Sequence, residues 1–257
     1  MPRRGRQKSE SGVYHIILRG INRQNIFEDR KDNQRFLHVL QRYKETSGYE
    51  LFAFCLMGNH IHLLMRVGNE PLEQIMRRIC GSFVYWYNKK YERIGNLFQD
   101  RFKSEPVEDD AYFLTVLRYI HQNPYKAGLA SDIENYSWSS YSAYTNGEMN
   151  KAKLVDVNFA LNIFSEDQKK AAKIFADYHK EVKDDTCLDI DESFRITDQE
   201  AKEIIQSLCK VKRGTELQKM NKEQRDAYIR QLKLEYKLSI RQIERLTEIN
   251  RGIVCKA

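Results

Sequence analysis

No two of the five cysteines, Cys55, Cys80, Cys187, Cys209 and Cys255, stand in the C-x-x-C spacing that builds a zinc site. Odd in number and far apart, they read as reduced thiols of a cytoplasmic protein. No apolar run reaches the roughly 18–20 residues that a membrane helix needs. The opening segment MPRRGRQKSESG also lacks the apolar stretch of a secretory signal. A cytoplasmic location without a membrane partner is therefore expected. Disorder as a global description is excluded, because 41% hydrophobic beside 31% charged residues is an ordinary globular balance.

What the chain has in excess is base, with a formal net charge of +7. A positive balance attracts polyanions, and nucleic acid is the partner class it points to. With domains of roughly 100–150 residues as the rule, a chain of 257 residues makes one or two. Residues 1–12 read as a flexible basic arm, carrying Arg3, Arg4, Arg6 and Lys8.

From residue 13 the pattern becomes that of alternating elements. VYHIILRG has strand composition, and a helix fits Lys31 to Thr46, where Phe36, Leu37, Leu40 and Tyr43 recur at helical spacing. YELFAFCLM and HIHLLMRV are strands separated only by Gly58 and Asn59, a tight hairpin signal. Pro71 opens a long helix marked by Leu72, Ile75, Ile79, Phe83 and Trp86, and an extended stretch follows near Phe98 to Val107. A further helix, Asp109 to Gln122, is expected to stop at Asn123-Pro124. The order predicts an α+β fold, an antiparallel sheet with helices on one face, over residues 13–145. The polar segment TNGEMNKAK marks a boundary. A helical appendage with an acidic linker follows over residues 154–195, and an all-helical region over 196–257. In that region Ile240, Ile243 and Leu246, then Ile253 and Val254, show helix-turn-helix spacing at about 239–257, with Ser239 and Asn250 as N-caps.

The chemistry-bearing pattern is His60-Ile61-His62 inside an apolar strand. Side chains two apart on a strand share a face, so both imidazoles can reach one cation while Ile61 goes to the core. The same spacing also suits two hydrogen-bonded structural histidines. A second element, RYIHQNPYKAG, places Tyr119 and Asn123 one helical turn apart on one face. A phenol there can act as nucleophile and an amide oxygen as a third metal ligand. Equally, Tyr119 is one of 15 tyrosines and can be a packing aromatic, and Asn123 a helix terminator. His15 reads as structural, and His121, rotated away from Tyr119, as solvent-facing.

Taken together, VYHIILRGINRQNIF, AFCLMGNHIHLLM, NLFQDRFKSEPVEDDAYFLTVLRYIHQNPYKAGL and YSWSSYSAY resemble the HUH single-tyrosine transposases, particularly those associated with repetitive extragenic palindromes. The resemblance implies a ferredoxin-like HUH fold in residues 13–145. It also implies Tyr119 as nucleophile, His60 and His62 as the metal pair with Asn123 completing the shell, and a divalent cation, Mg²⁺ or Mn²⁺. Gly58 departs from the proline that relatives commonly place before Asn-His. The implied activity is cleavage and joining of single-stranded DNA beside a hairpin through a 5′-phosphotyrosine, by a monomer or homodimer. Arg3, Arg4, Arg6, Arg19, Arg23, Arg101, Lys103, Arg118 and Arg251 are the expected DNA contacts, with Tyr14, Phe102, Trp138 and Tyr141 as candidate stacking surfaces. Two other readings use the same residues: a catalytically silent DNA-binding regulator, and a metal-dependent phosphodiesterase that activates water.

Overall fold

The computed structural model describes residues 6–145, 153–181, 183, 185–189, 198–236, 238 and 240–257. The apolar runs of the first half become β1 (Val13–Arg19), β2 (Glu50–Leu56), β3 (His60–Arg66) and β4 (Lys103–Pro106). They form one sheet in the order β2-β3-β1-β4, with every neighbouring pair antiparallel. Gly58 and Asn59 close the β2–β3 hairpin, and the Met57 N–H donates to the His60 carbonyl at 2.9 Å.

Three long helices pack with this sheet. The first, α1 (Arg30–Ser47), opens on Asp29, whose carboxylate accepts from the N–H groups of Lys31 and Asp32. It closes at Gly48, in the left-handed region at φ 65, where a Cβ would be strained. Pro71 stands just ahead of α2 (Leu72–Lys90), and Asp109 caps α3 (Asp110–Lys126). α1 meets α2 through Phe36 and Phe83, edge to face at 5.1 Å.

Two expectations are corrected. The sheet is covered on both faces, not one: Leu51–Leu56 in β2 and Ile61–Met65 in β3 are buried without alternation. Continuous apolar runs are the mark of two-sided burial, whereas one-sided sheets alternate. In addition, α3 does not stop at Asn123-Pro124 but runs on to Lys126. Proline removes only its own N–H, and the last turn closes by Ala127 N–H donating to the Asn123 carbonyl and Leu129 N–H to that of Pro124, both at 2.9 Å.

The segment after the sheet joins the same core. α4 (Tyr141–Thr145), α5 (Val157–Phe164) and α6 (Gln168–Lys180) bring in Phe159, 5.0 Å from Phe52, and Phe175, stacked on Tyr144 at 4.5 Å. The boundary expected at TNGEMNKAK falls mostly outside the described residues.

Residues 1–189 and 190–257 are two compact units. The second holds α7 (Asp198–Cys209), α8 (Lys222–Leu234), α9 (Ile240–Thr247) and α10 (Arg251–Lys256) around its own core, which includes Ile205, Leu217, Leu232, Ile243 and Val254. Between α9 and α10 the chain reverses at Glu248, φ 57, and Asn250 caps α10 by accepting from the Gly252 N–H at 2.8 Å. Ser239 lies outside the described residues. No described helix is long and apolar enough to cross a membrane.

Candidate active site

The strand period puts His60 and His62 on one face of β3, their ring centroids 5.1 Å apart, while Ile61 is fully buried on the other. In the adjacent strand His15 pairs with Leu64 and Ile17 with His62, so His15 lies on the same face, diagonal to His62. Its Nε2 is 3.1 Å from His62 Nδ1, and its Nδ1 is 2.8 Å from the carboxylate of Glu105, its partner on β4. At the hairpin end, His60 Nδ1 lies 2.7 Å from Asn59 Oδ1.

α3 crosses this face. Tyr119 sets its ring 5.8 Å from those of both His15 and His62, and Asn123, one turn on, places Nδ2 3.5 Å from His62 Nε2. The two ends of an asparagine amide exchange by a simple flip, which would present Oδ1 at the same place. The fold thus brings together His60, His62, Tyr119 and Asn123. It adds His15 and Glu105, whose approach depends on strand pairing that no local pattern encodes.

Burial holds both metal-candidate histidines neutral. His60 is lowered to about 4 by burial, against a partly offsetting pull from Asp189. His62 is lowered well below the usual value by burial and then by its neighbours His15 and His60. Glu105 is held below the ordinary glutamate range: burial opposes this, but hydrogen bonds from His15 and from the Leu188 N–H prevail. The Tyr119 phenol is raised, first by burial and then by the nearby Asp189 carboxylate. Its hydroxyl is buried without a well-formed hydrogen bond, and the residue is only 6% exposed.

What covers the tyrosine is the acidic stretch after α6. Arg118, Gln122 and Lys126, a stripe of α3 beside Tyr119, hold it in three places. Arg118 makes a bidentate pair with Asp185 at 2.8 and 2.7 Å. Gln122 donates to the Glu181 carbonyl at 2.9 Å, and Lys126 to that of Lys183 at 2.9 Å. Leu188 N–H is bound to Glu105 at 2.8 Å. The sequence reading treats this stretch as a linker; an i, i+4, i+8 stripe of donors with an acidic run downstream was the available signal.

The expected DNA contacts have diverse settings. Arg3 and Arg4 lie outside the described residues. Arg6 lies over the Phe102 ring at 3.7 Å, and Arg19 is close enough to His60 to lower its pKa. Arg23 adopts a left-handed backbone at φ 60 in the turn after β1. Arg101 and Lys103 are exposed beside β4, and Arg251 is exposed at the start of α10. Arg118 is instead 2% exposed and committed to Asp185, which places it inside the protein and not on a phosphate path. His121 is also corrected: it is fully buried, 3.0 Å from His179 and 2.8 Å from Ser140, because α3 is enclosed on nearly every side from Val116 to Gln122. Tyr141 is 2% exposed and Tyr14 8%, so neither offers a stacking face, whereas Phe102 and Trp138 are only partly buried.

Among the described residues no three or more His, Cys, Asp or Glu side chains form a metal-holding group. The set that does converge is two imidazoles and an amide. Two neutral ring nitrogens with one carbonyl-type oxygen are chemically suited to a borderline divalent ion such as Mn²⁺, and less to the all-oxygen preference of Mg²⁺.

Comparison with known proteins gives the same direction. Residues 8–123 match the sequence model of the IS200-like transposase family. A protein of Haemophilus influenzae named as a REP-associated tyrosine transposase is 26% identical over 123 residues, covering 42% of this chain and 69% of the relative. Among solved structures, a REP-associated tyrosine transposase bound to a REP hairpin aligns at TM-score 0.48 and 19% identity, over 55% of this chain and 82% of that one. A protein of Deinococcus radiodurans described as a transposase aligns at TM-score 0.34 and 18% identity, over 47% of this chain and 97% of that one.

Proposed function

We propose, taking residues 8–123 as an IS200-like transposase domain, that the chain is a DNA-cleaving and DNA-joining enzyme with Tyr119 as nucleophile. The observation that carries this reading is the seating of Tyr119 and Asn123, one turn apart on α3, against His62. A DNA-binding regulator requires neither that geometry nor neutral, paired histidines.

In this reading a single-stranded phosphodiester enters beside Tyr119, and the phenol oxygen attacks phosphorus in line. The P–O3′ bond breaks, the leaving oxygen takes up a proton, and the 5′-phosphate stays on Tyr119 as a phosphotyrosine. A second DNA 3′-OH reverses the step, so joining needs no external energy source. His60, His62 and Asn123 would hold the divalent cation. Bound there, it would supply charge neutralisation at the phosphate oxygens. A phenol has an ordinary pKa of about 10, so positive charge close to Tyr119 assists its ionisation. Lys126, 6.0 Å from the ring centroid, is a candidate that the sequence reading missed.

The rest of the chain is read as DNA-holding. Lys103 and Arg101 offer charge beside the sheet edge. In the second unit the pair α9–α10, with Arg251 exposed at the start of α10, is proposed as a helix-turn-helix.

The test is incubation of the protein with labelled single-stranded DNA carrying a hairpin, in Mg²⁺ or Mn²⁺. A covalent protein–DNA adduct that disappears in Tyr119→Phe supports strand transfer. A free 5′-phosphate without adduct identifies water as the nucleophile, and intact DNA identifies a binder; either outcome refutes the proposal.

A further inference from the structure

The two histidines that face the presumed cation are each backed on their other nitrogen. His60 Nδ1 meets Asn59 Oδ1 at 2.7 Å. His62 Nδ1 meets His15 Nε2 at 3.1 Å, and His15 Nδ1 in turn meets Glu105 Oε1 at 2.8 Å. Hydrogen-bond roles propagate along this line. A carboxylate only accepts, so His15 Nδ1 carries a proton and donates it to Glu105. In its neutral form His15 then offers Nε2 as an acceptor, and His62 must donate through Nδ1. This leaves the lone pair on His62 Nε2, the atom nearest Asn123. Asn59 works in the same sense at the outer position, since its Oδ1 accepts from His60 Nδ1 and leaves Nε2 bare.

We propose that Glu105 and His15 form a positioning relay that fixes the tautomer and orientation of His62, turning a buried ring into a cation ligand. The inference rests on the reading of His60, His62 and Asn123 as the cation site. It goes beyond it by assigning a role to two residues that touch neither DNA nor cation. Three features support it. His15 and His62 are both fully buried, so water cannot substitute for the missing partner. The two rings lie nearly parallel, at an interplanar angle of 24°, and meet through their edge nitrogens. Glu105 is itself fixed by the Leu188 N–H at 2.8 Å and by the β1–β4 register opposite His15. A histidine ligand is normally oriented through its second nitrogen, and loss of such a partner weakens metal binding about 10–100-fold. Here the carboxylate acts through an intervening histidine.

The experiment measures Mn²⁺ affinity of the full chain by calorimetry, with metal-free unfolding temperatures as the control for folding. Glu105→Ala should weaken Mn²⁺ binding about 10-fold or more. Glu105→Gln, which keeps an oxygen able to accept from His15, should restore most of it. In the ¹⁵N spectrum of the imidazoles, His62 should be the Nδ1–H tautomer in the unmodified chain and lose that single form in Glu105→Ala. His15→Ala opens a buried site and can unfold the chain, so the Glu105 pair carries the decision. Mn²⁺ affinity unchanged in a folded Glu105→Ala variant overturns the relay while leaving the cation site standing. Failure of the unmodified chain to bind Mn²⁺ at all overturns both.

Discussion

Asn123 reaches His62 from α3, its amide nitrogen 3.5 Å from His62 Nε2. At that distance the contact is weak as a hydrogen bond but suits two groups sharing a ligand between them. Replacement by alanine is expected to reduce Mn²⁺ affinity about 10-fold or more, with little change in unfolding temperature, because one marginal contact is lost. Asn123→Asp supplies a harder, charged oxygen and should bind Mn²⁺ at least as tightly as the parent. Equal affinities in all three proteins, measured by calorimetry, would remove Asn123 from the cation shell.

A second prediction concerns the cover on the nucleophile. Tyr119 is 6% exposed, and Asp189 joins burial in keeping its phenol protonated. A carboxylate beside the attacking oxygen also repels an incoming phosphate. Asp189→Ala should therefore speed formation of the covalent adduct on short single-stranded DNA several-fold, and Tyr119→Phe in the same background should abolish it. An adduct rate at or below that of the parent would show that the acidic stretch does not restrain the reaction.

These two residues mark what the sequence could and could not disclose. His60 with His62, and Tyr119 with Asn123, are spaced by the periods of a strand and a helix, so each pair was legible on its own. That the pairs meet depends on α3 crossing the β3 face, which only the family resemblance supplied. The Glu105–His15 contact follows from β1 lying between β3 and β4, and the Arg118–Asp185 pair joins groups 67 residues apart. His121 was misjudged because the helix was assumed to have a wet side. Its buried run from Val116 to Gln122 instead reflects cover from both the sheet and α6.

A third prediction follows from the enclosed pair His121–His179. His179 donates from Nδ1 to the Phe175 carbonyl at 2.8 Å, so its Nε2 accepts from His121, and both rings are neutral. Burial lowers His179 to about 3, whereas the unfolded chain titrates near the ordinary 6.5. The folded value is depressed, so the unfolded state binds the extra proton first as pH falls. The stabilisation is full above about pH 6.5 and is lost on descending from there toward about 3, at roughly 1.4 kcal/mol per pH unit. Unfolding free energy should thus be about 2 kcal/mol lower at pH 5 than at pH 7 from this group alone. Denaturant titrations should show that slope, and His179→Gln should flatten it by about one proton's worth. An unaltered slope in the variant would assign acid lability elsewhere.

The last prediction separates arginine that holds the protein from lysine that holds DNA. Arg118 and Asp185 have side chains 3% and 8% exposed and share two hydrogen bonds, so truncating Arg118 strands a nearly buried carboxylate. Breaking such a pair costs roughly 3 kcal/mol, and Arg118→Ala should lower the unfolding temperature by several degrees. Lys103 is exposed on β4 and its removal should leave that temperature unchanged. DNA affinity orders the two the other way. Each phosphate contact contributes about 0.7 to the slope of log affinity against log salt for single strands. Lys103→Ala should accordingly reduce that slope by about one contact, while Arg118→Ala leaves it intact in the folded fraction. Measuring both variants across a salt series tests the assignment directly. A reduced slope in folded Arg118→Ala would mean that Asp185 releases the guanidinium to phosphate when DNA enters, making the acidic stretch a placeholder for the strand and not a permanent partner.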